Sequence, residues 1–552
     1  MKTNIFYFLW LLVLVVVPMS GCDSDFLDKK PLDIISSESV FTDQALTESY
    51  LYNIYDYMPV GYGLYQMEGQ NVLSGLGITD LLDGSTDMLR SPSVWNESNS
   101  IMIPGVITAT YNPLETWGRS YQAIRKVHNL IHGLKTSTLD ETWKTRVTAE
   151  ARFIRAFMYF DLVRRYGDVP LITDLQSFDN IENLLVARTP ADQVYDFIDA
   201  ELSACGEILP SVKEMRSTEA GRATREACWA LNGRAMLFAK RYAKSAQNSK
   251  KVMDSGNFSL DGDYNALFQS HGGNKEVIFE IMFNGTNKGH AFDNLFLPPS
   301  IDNGWGSQTL PTQEAVDSYE MLNGKAITDP ASGYDPQNPY INRDKRFAAS
   351  IIFEGATVKG KVIHTGALMP DDGLGLEGRT ITGYYIRKFI DETIPFVELD
   401  FNGSKTSWKE LRLGEVLLNY AEAQNEAVGG DASVYSAINQ IRSIHGGLPP
   451  LDAGLSKNQL FEKIVQERKI ELAFEGHRFW DLRRWKKAEQ VLHDKYMHGM
   501  KITTDAVTKK LIYTPFEINT LPKQVFLPKH YLMPVGFAEI NKNKKLVQNP
   551  GY

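Results

Sequence analysis

Apolar side chains recur every three or four residues along several segments, the pattern of a helix with one buried face. The first such segment carries Trp117, Tyr121, Ile124, Val127 and Ile131. The second ends at Gly-Asp-Val-Pro, and Gly and Pro commonly follow helix C-termini. The pattern predicts helices over residues 117–131, 142–166, 190–209, 224–242, 411–426, 433–444 and 457–474.

Two segments between these helices have the composition of strands. Residues 276–283 (EVIFEIMF) and 382–389 (TGYYIRKF) are rich in β-branched and aromatic side chains. The stretches 284–308 and 334–343 are instead dense in Gly, Pro and Asn. Long irregular loops inside a compact domain are usually functional, so a binding surface is expected there.

The order of these elements predicts a mostly α fold, with helical pairs carrying a loop-rich, partly β region. Helical pairs of this kind stack as tetratricopeptide-like arrays, although no clean 34-residue repeat is evident. We expect one compact unit after a signal peptide at residues 1–21. Its N-terminal region, 22–260, holds helical pairs, and residues 261–552 hold the loop-rich face and the C-terminal helices.

The N-terminus predicts export. The apolar run Ile5 to Val17 follows Lys2 and is too short to cross a bilayer, so it is typical of a signal peptide. Cys22 comes directly after Met-Ser-Gly and resembles the lipidated cysteine of a bacterial lipobox, which predicts anchoring by acyl chains at Cys22. The alternative is an ordinary secretory signal. The acidic residues after Cys22 resemble the export signal of surface lipoproteins in the Bacteroidetes.

Composition narrows the classes of partner. The chain has 58 Lys and Arg against 67 Asp and Glu, a net charge of −9. Without a basic stripe, nucleic acid is not expected as a partner. Cys205 and Cys228 allow at most one disulfide, and the sequence leaves open whether they pair. The 25 tyrosines and 9 tryptophans are compatible with sugar binding by ring stacking, although most will be core.

The sequence motifs that could indicate catalysis are better explained by structural roles. Glu467, Glu471 and Glu475 lie at helical spacing, and paired carboxylates are used by glycoside hydrolases. Cationic neighbours crowd this segment, however, and would lower the carboxyl pKa, so ion pairing and helix capping are expected instead. Residues 373–378 match GxGxxG without the following helix that a nucleotide site needs. With no zinc or serine-hydrolase motif present, no enzymatic activity, cofactor or metal is expected.

A resemblance to one family covers nearly the whole mature chain. The strings that carry it are FLDKKPLD (26–33), EARFIRAFMYFDLVRRYGDVPL (150–171), ALNGRAMLFAKRY (230–242), NRDKRF (342–347), LRLGEVLLNYAEAQNE (411–426), ERKIELAFEGHRFWDLRRW (467–485) and LMPVGFAEINKNKKLVQNPGY (532–552). In this order they resemble the SusD/RagB family of outer-membrane nutrient-binding lipoproteins. The resemblance implies a tetratricopeptide-like scaffold that sits on a TonB-dependent transporter of the SusC type and captures an oligosaccharide.

The predicted ligand site combines two loops. The loop 79–99 places Trp95 beside the hydrogen-bonding residues Asn96, Arg90 and Asp83, and a ring flanked by polar groups suits a sugar. Family members also contact ligand through aromatic residues after the central strands. By location alone, the resemblance implies Trp305, Phe296 and Phe292 at those positions.

These observations predict an outer-membrane lipoprotein, facing the cell exterior, that binds an oligosaccharide and delivers it to a SusC-like transporter. One alternative is peptide capture, as in the RagB branch of the family. Another is a secreted glycoside hydrolase. The identity of the glycan cannot be derived from the sequence.

Overall fold

The structure, a computed structural model, describes residues 40–61, 80–286, 288–301, 306–395 and 403–552. The predicted signal peptide, Cys22 and Trp305 lie outside these residues. Within the described ranges, no helix is both long enough and apolar enough to span a bilayer. The helices are α1 Gln44–Tyr55, α2 Trp117–Lys135, α3 Glu141–Tyr166, α4 Ala191–Ile208, α5 Arg225–Phe238, α6 Tyr242–Asp254, α7 Tyr264–Gln269, α8 Phe292–Phe296, α9 Gln313–Ser318, α10 Lys345–Ser350, α11 Leu413–Val428, α12 Ala432–Ile441, α13 Lys457–Glu471, α14 His477–Arg484, α15 Ala488–Leu492 and α16 Phe537–Lys542.

The predicted helices are confirmed, with two changes at their ends. Local signals set the boundaries of α3, because the Asp140 side chain caps its N-terminus and Gly167, at φ 72°, ends it. The segment predicted over 224–242 is two helices, since α5 ends at Phe238 and Lys240 turns the chain with a φ of 58°. The segment predicted from residue 411 begins as a strand and becomes helix α11 at Leu413.

Consecutive helices pack against one another from α2 to α6. Helix α6 then packs against α11, which also contacts α12 and α13, so the C-terminal helices continue the N-terminal array. A large apolar core runs through this array, and a second core lies under the loop-rich region. This arrangement confirms the predicted mostly α fold of packed helical pairs.

The strands form two-stranded antiparallel sheets. The predicted strand at 276–283 is present as β2, whereas only two residues of 382–389 are extended, as β7. The sequence pattern did not predict the β9–β10 hairpin. The strands are β1 Leu89–Arg90, β2 Val277–Ile281, β3 Leu310–Pro311, β4 Ile351–Ile352, β5 Thr357–Val358, β6 Lys361–Val362, β7 Tyr385–Ile386, β8 Trp408–Arg412, β9 His498–Thr504 and β10 Leu511–Glu517, paired as β1–β3, β2–β8, β4–β7, β5–β6 and β9–β10.

A group of buried charged side chains joins the helices to the loop-rich region. We call it the buried charge cluster, and each member is at most 4% exposed as a side chain. Taking so many charges out of water is costly unless each one is paired and hydrogen-bonded. Its members are Glu276, Glu320, Asp344, Arg346, Lys388, Arg412, Arg442, His445, Glu467, Glu471 and Glu475, with the side chain of Arg442 4% exposed.

Glu471 lies at the centre of the buried charge cluster. Its Oε1 accepts hydrogen bonds from Arg412 Nη1 at 2.6 Å and from His445 Nδ1 at 3.0 Å, and its Oε2 accepts from Arg346 Nη1 at 2.9 Å. Arg412 also forms a bidentate pair with Glu475, at 2.7 and 2.8 Å. Glu471 therefore connects β8, α10 and α13 through one carboxylate.

The buried charge cluster also explains why residue 414 is a glycine. A Cβ atom at Gly414, in the second position of α11, would lie 2.3 Å from Arg412 Nη1 and 2.8 Å from Glu471 Oε1. A Cβ atom does not approach other atoms this closely, so any side chain there would displace the guanidinium. The Leu-Arg-Leu-Gly-Glu sequence thus supplies Arg412 and, through Gly414, the space that its guanidinium occupies.

The predicted ion pairing of the three glutamates is confirmed, although their partners are not the neighbours in sequence. Glu467, Glu471 and Glu475 pair with Arg346, Arg412, Arg442 and Lys388, which come from other segments. Burial opposes ionisation of Glu471, but His445 and Arg412 outweigh it and hold its carboxyl pKa well below the usual range. A general acid needs the opposite shift, so this group has the electrostatics of a structural cluster.

We expect Glu471→Gln to lower the free energy of unfolding by about 3 to 5 kcal/mol, because it leaves buried cations without their counterion. Urea denaturation with circular dichroism measures this loss. Asp254→Asn is the control, since it breaks an exposed pair with Lys250 whose side chains are 60% and 55% exposed. Its loss should be undetectable. Equal losses in the two variants would contradict the proposed role of the cluster.

Candidate functional site

The predicted ligand loop is held between two parts of the chain. A 3₁₀ helix at Leu82–Ser85 and strand β1 precede residues 91–97, which we call the Trp95 loop, and a π-helical turn at Ser98–Met102 follows it. Strand β1 pairs with β3, in register Leu89 to Pro311. Asn96 also bonds the Gln308 carbonyl, so residues 306–311 lie beside the Trp95 loop.

Arg90 is a buried support for this loop. It is 3% exposed and donates hydrogen bonds to the carbonyl oxygens of Leu89 at 2.7 Å and Thr86, and to the side chain of Gln524 at 2.9 Å. Gln524 in turn donates to the carbonyl of Ser85 at 2.7 Å. Burial lowers the pKa of the Arg90 guanidinium to about 10. Arg90 holds the backbone before the Trp95 loop, and its guanidinium faces protein rather than solvent.

Asn96 fixes the Trp95 loop to the segment before β3. It is 1% exposed, and its Nδ2 donates to Ser91 Oγ at 2.5 Å and to the Gln308 carbonyl at 3.0 Å. Asn99 adds bonds to the carbonyls of Ser91 and Ser93 at 2.7 and 2.8 Å. These amides satisfy loop carbonyls that would otherwise be buried without partners.

Asp83 is also buried, beneath the loop. Its Oδ2 accepts from the Gly476 amide at 3.3 Å, and its Oδ1 has no hydrogen-bond partner. Burial, with a smaller contribution from the neighbouring charge of Asp87, raises the pKa of the Asp83 carboxyl to about 7. Gly476 adopts a φ of 77°, a left-handed conformation that favours glycine and directs this amide toward Asp83.

Asp87 connects the loop to helices α13 and α14. Both of its oxygens accept from Arg478, at 2.8 and 2.9 Å, and Lys469 lies 2.9 Å away. Burial opposes ionisation, but Lys469 and Arg478 prevail and hold the pKa of the Asp87 carboxyl far below its usual range. The segment that carries the Trp95 loop is therefore fixed to the same helix, α13, that holds Glu471.

Trp95 itself projects into solvent. Trp95 is 88% exposed, and its neighbour Val94 is 71% exposed. Its backbone N–H donates to Ser93 Oγ at 3.2 Å, and the Asn96 amide closes a turn onto the Ser93 carbonyl at 3.3 Å. The backbone is thus hydrogen-bonded while the indole ring remains open to solvent. Such a ring can accept a flat apolar surface without any rearrangement of the core.

Tyr111 adds a second open ring that the sequence analysis did not identify. It is 50% exposed, and its hydroxyl donates to Glu97 Oε1 at 2.6 Å, which places it beside the Trp95 loop. Thr108, Thr110 and Asn112 surround it in sequence. An aromatic residue among polar turn residues was the signal that selected Trp95, and the same signal applies to Tyr111.

The two predicted phenylalanines occupy a different environment. Phe292 and Phe296 are each 1% exposed on α8, and their rings stack with centroids 4.3 Å apart. Phe292 also packs edge to face against Phe389. The structure therefore places both rings in the second core, where they offer no face to solvent. Their burial makes α8 a support for the loop that follows it.

Other candidate sites from the sequence have structural explanations. The GxGxxG match at 373–378 lies in a loop with no helix after it, as predicted. Ligand atoms of Glu276, His445 and Glu471 lie within 4.8 Å of one another, a spacing that suits a metal ion. Arg412 donates to both of these carboxylates, at 2.9 and 2.6 Å, so a guanidinium already supplies their positive partner. Cys205 and Cys228 are both free and buried.

Comparisons with known proteins agree with this architecture. The sequence profile of the SusD family matches residues 275–552, and a profile described as starch-binding associating with outer membrane matches residues 25–237. The SusD-like protein P2 of Formosa agariphila is 26% identical, over 98% of both chains. A SusD-like carbohydrate-binding protein of Bacteroides fragilis is 25% identical, with a TM-score of 0.79 over 92% of this chain and all of that one. A laminarin-binding SusD-like protein is 22% identical, with a TM-score of 0.65 over 93% and 100% of the chains.

The raised pKa of Asp83 predicts a pH-dependent effect of Asp83→Asn. A buried carboxyl with a raised pKa contributes stability at low pH that is lost as the pH rises through about 7. The neutral amide does not incur this loss, so the stability of the variant relative to the wild type should rise by about 2 to 3 kcal/mol between pH 5 and pH 8. Urea denaturation at both pH values measures it. Asp254→Asn, at an exposed position, should show no such change, and a pH-independent difference for Asp83→Asn would contradict the prediction.

Proposed function

The chain belongs to the SusD family, and from this premise we propose that it is a cell-surface lipoprotein that binds an oligosaccharide. The observation that carries the proposal is the indole of Trp95, 88% exposed on a loop held by buried hydrogen bonds. Pyranose rings present flat apolar faces, and an exposed aromatic ring complements them. The Bacteroides fragilis and laminarin-binding relatives are described by their names as sugar-binding, which supports the same class of ligand.

The support of the Trp95 loop favours binding without a conformational penalty. Arg90, Asn96 and Asp87 hold the backbone on both sides of the ring, so the loop backbone does not have to be ordered when ligand arrives. Glu97, at the end of the Trp95 loop, and Tyr111, bonded to it, add polar atoms to this part of the surface that sugar hydroxyls can bond. Trp305 keeps its predicted role as a second stacking ring, since its segment leads into β3 beside the Trp95 loop.

We further propose that the protein is anchored in the outer membrane through lipid on Cys22, faces the cell exterior, and hands its ligand to a SusC-like TonB-dependent transporter. The lipobox-like sequence before Cys22 and the acidic residues after it support the anchor and its orientation. The family description of association with the outer membrane supports the location.

Binding explains the structure better than catalysis does. The three glutamates at helical spacing are inaccessible and ion-paired, so they do not supply the acid and nucleophile of a glycoside hydrolase.

Peptide capture by strand addition would use a free sheet edge. On the outer edge of β10, the Gln337 side chain already bonds both the N–H and the carbonyl of Tyr513, at 3.1 and 3.3 Å, and Pro515 lacks an N–H.

We expect Trp95→Ala to weaken oligosaccharide binding roughly thirtyfold, the effect of losing about 2 kcal/mol at a binding hot spot. The melting temperature should not change, because the ring is exposed. A panel of purified oligosaccharides, including laminarin fragments, and of peptides first identifies the ligand. Calorimetry on the variant then measures the affinity. A lower melting temperature with unchanged affinity would remove Trp95 from the site.

Two further variants control this experiment. Trp95→Phe keeps an aromatic face and should retain most of the affinity. Phe537→Ala removes another exposed ring, 55% exposed on α16, and should have no effect on oligosaccharide binding. Binding of peptides in place of sugars, with the same dependence on Trp95, would keep the site and change the ligand class.

We expect Cys22→Ala to move the protein from the membrane fraction to the soluble fraction without changing its fold, because Cys22 is the proposed acylation site. Fractionation after a high-salt wash, with immunoblotting, measures the distribution. Ser24→Ala, two residues away, should stay in the membrane fraction. If Cys22→Ala also stays there after the wash, lipid on Cys22 is not what holds the protein.

A further inference from the structure

Residues 171–188 form a strap over the N-terminal half of α2. None of its residues is fully buried, although nine of them are apolar, including Leu175, Leu184 and Val186. Under the strap lies a cleft of about 630 Å³, within the usual range for a small-molecule site.

The strap is held at its base and along its length. The backbones of Val169 and Thr189 bond each other at 2.9 and 3.2 Å and close the loop at its base. Tyr159 accepts from the Ile172 amide at 2.7 Å, and Asn543, after α16, donates to the Val186 carbonyl at 2.8 Å. These bonds fix both ends of the strap over α2, so the cleft is a built feature of the fold.

Aromatic rings line the cleft. Trp117 and Tyr121 of α2 lie on one side with ring centroids 5.2 Å apart, and Phe178 of the strap, 68% exposed, lies at the mouth. The Tyr121 hydroxyl donates to the Pro170 carbonyl at 2.7 Å, which fixes the ring between α2 and the chain just before the strap. Planar rings of this kind favour a flat, aromatic occupant.

Arg125 gives the cleft a charge preference. Its guanidinium lies 4.3 Å from the centroid of Phe178, and its hydrogen bond to protein is to the Gln176 carbonyl, at 3.4 Å. Across the described residues, Arg125 forms no ion pair with a carboxylate. The acids at the cleft have other contacts, since Glu539 pairs with Lys542 at 2.8 Å and Asp174 accepts from the Leu175 amide at 2.8 Å. A carboxylate from a ligand would supply the missing partner.

We propose that this cleft is a second binding site, separate from the Trp95 loop, for a small aromatic carboxylic acid. The aromatic ring of the ligand lies among Trp117, Tyr121 and the apolar side chains of the strap. The carboxylate pairs with Arg125 at the mouth, where Phe178 covers one face of the guanidinium. Of the Arg and Lys side chains among the described lining residues, Lys542 pairs with Glu539 and Arg125 has no carboxylate partner, so the site selects a ligand that is both aromatic and anionic.

The experiment compares 4-hydroxycinnamate with its methyl ester, which has the same ring without the charge. Calorimetry on the full mature protein should show that the acid binds about tenfold or more tightly than the ester, the effect expected of a charged hydrogen bond. Dodecanoate is the third test ligand, because it carries a carboxylate on an acyl chain and has no aromatic ring. Equal binding of acid and ester, no binding of the acid at millimolar concentration, or tighter binding of dodecanoate would overturn the proposal.

Variants at the cleft assign the effect to its residues. Arg125→Gln should remove the preference for the acid and leave ester binding unchanged, and Arg125→Lys should restore part of the preference. Leu184→Asp, on the strap, should weaken the acid and the ester together because it makes the lining polar. Lys250→Gln removes a cation that is 55% exposed elsewhere and should change nothing. Retained preference for the acid in Arg125→Gln would overturn the assignment even if the acid binds.

Discussion

The ion pairs around Glu471 are the interaction on which the rest of the structure depends. One carboxylate joins a guanidinium at the end of β8, a second guanidinium on α10 and the His445 ring, all out of contact with water. A loop-rich region has few regular hydrogen bonds to fix it to a helical array. Directional bonds between buried charges supply that fixed geometry, because removing any member leaves its partners unsatisfied.

The same helix supports the Trp95 loop. Lys469 follows Glu467 and precedes Glu471 on α13, and it contacts Asp87, which also forms two bonds with Arg478 of α14. The segment that presents Trp95 is therefore attached to the helix that also carries Glu471, the centre of the buried charge cluster. A binding loop normally has to be ordered when ligand arrives, whereas the backbone of this loop is already held by buried hydrogen bonds and ion pairs.

The sequence predicted the helices well, because their apolar faces and terminal signals are local properties. It also predicted that Glu467, Glu471 and Glu475 form ion pairs, but the partners could not be assigned, since Arg346 and Arg412 are distant in sequence. In and around the Trp95 loop, the sequence could not show which side chains are exposed and which are buried. Arg90 and Asn96 look like ligand-binding groups in sequence, yet they bond backbone carbonyls that only the folded chain brings near. Phe292 and Phe296 were selected by location, and their stacking against each other depends on a helix of only five residues.

The β9–β10 hairpin was not predicted, and its outer edge has a consequence for how copies of the protein meet. An exposed strand normally offers a row of free amides and carbonyls to which another chain can add. On β10, the side-chain amide of Gln337 takes the place of a neighbouring strand at Tyr513, and Pro515 removes the next donor. A second molecule that meets this edge finds two positions closed, the backbone groups of Tyr513 and the N–H that Pro515 lacks. Strand addition from another copy of the protein is therefore disfavoured at the outer edge of β10.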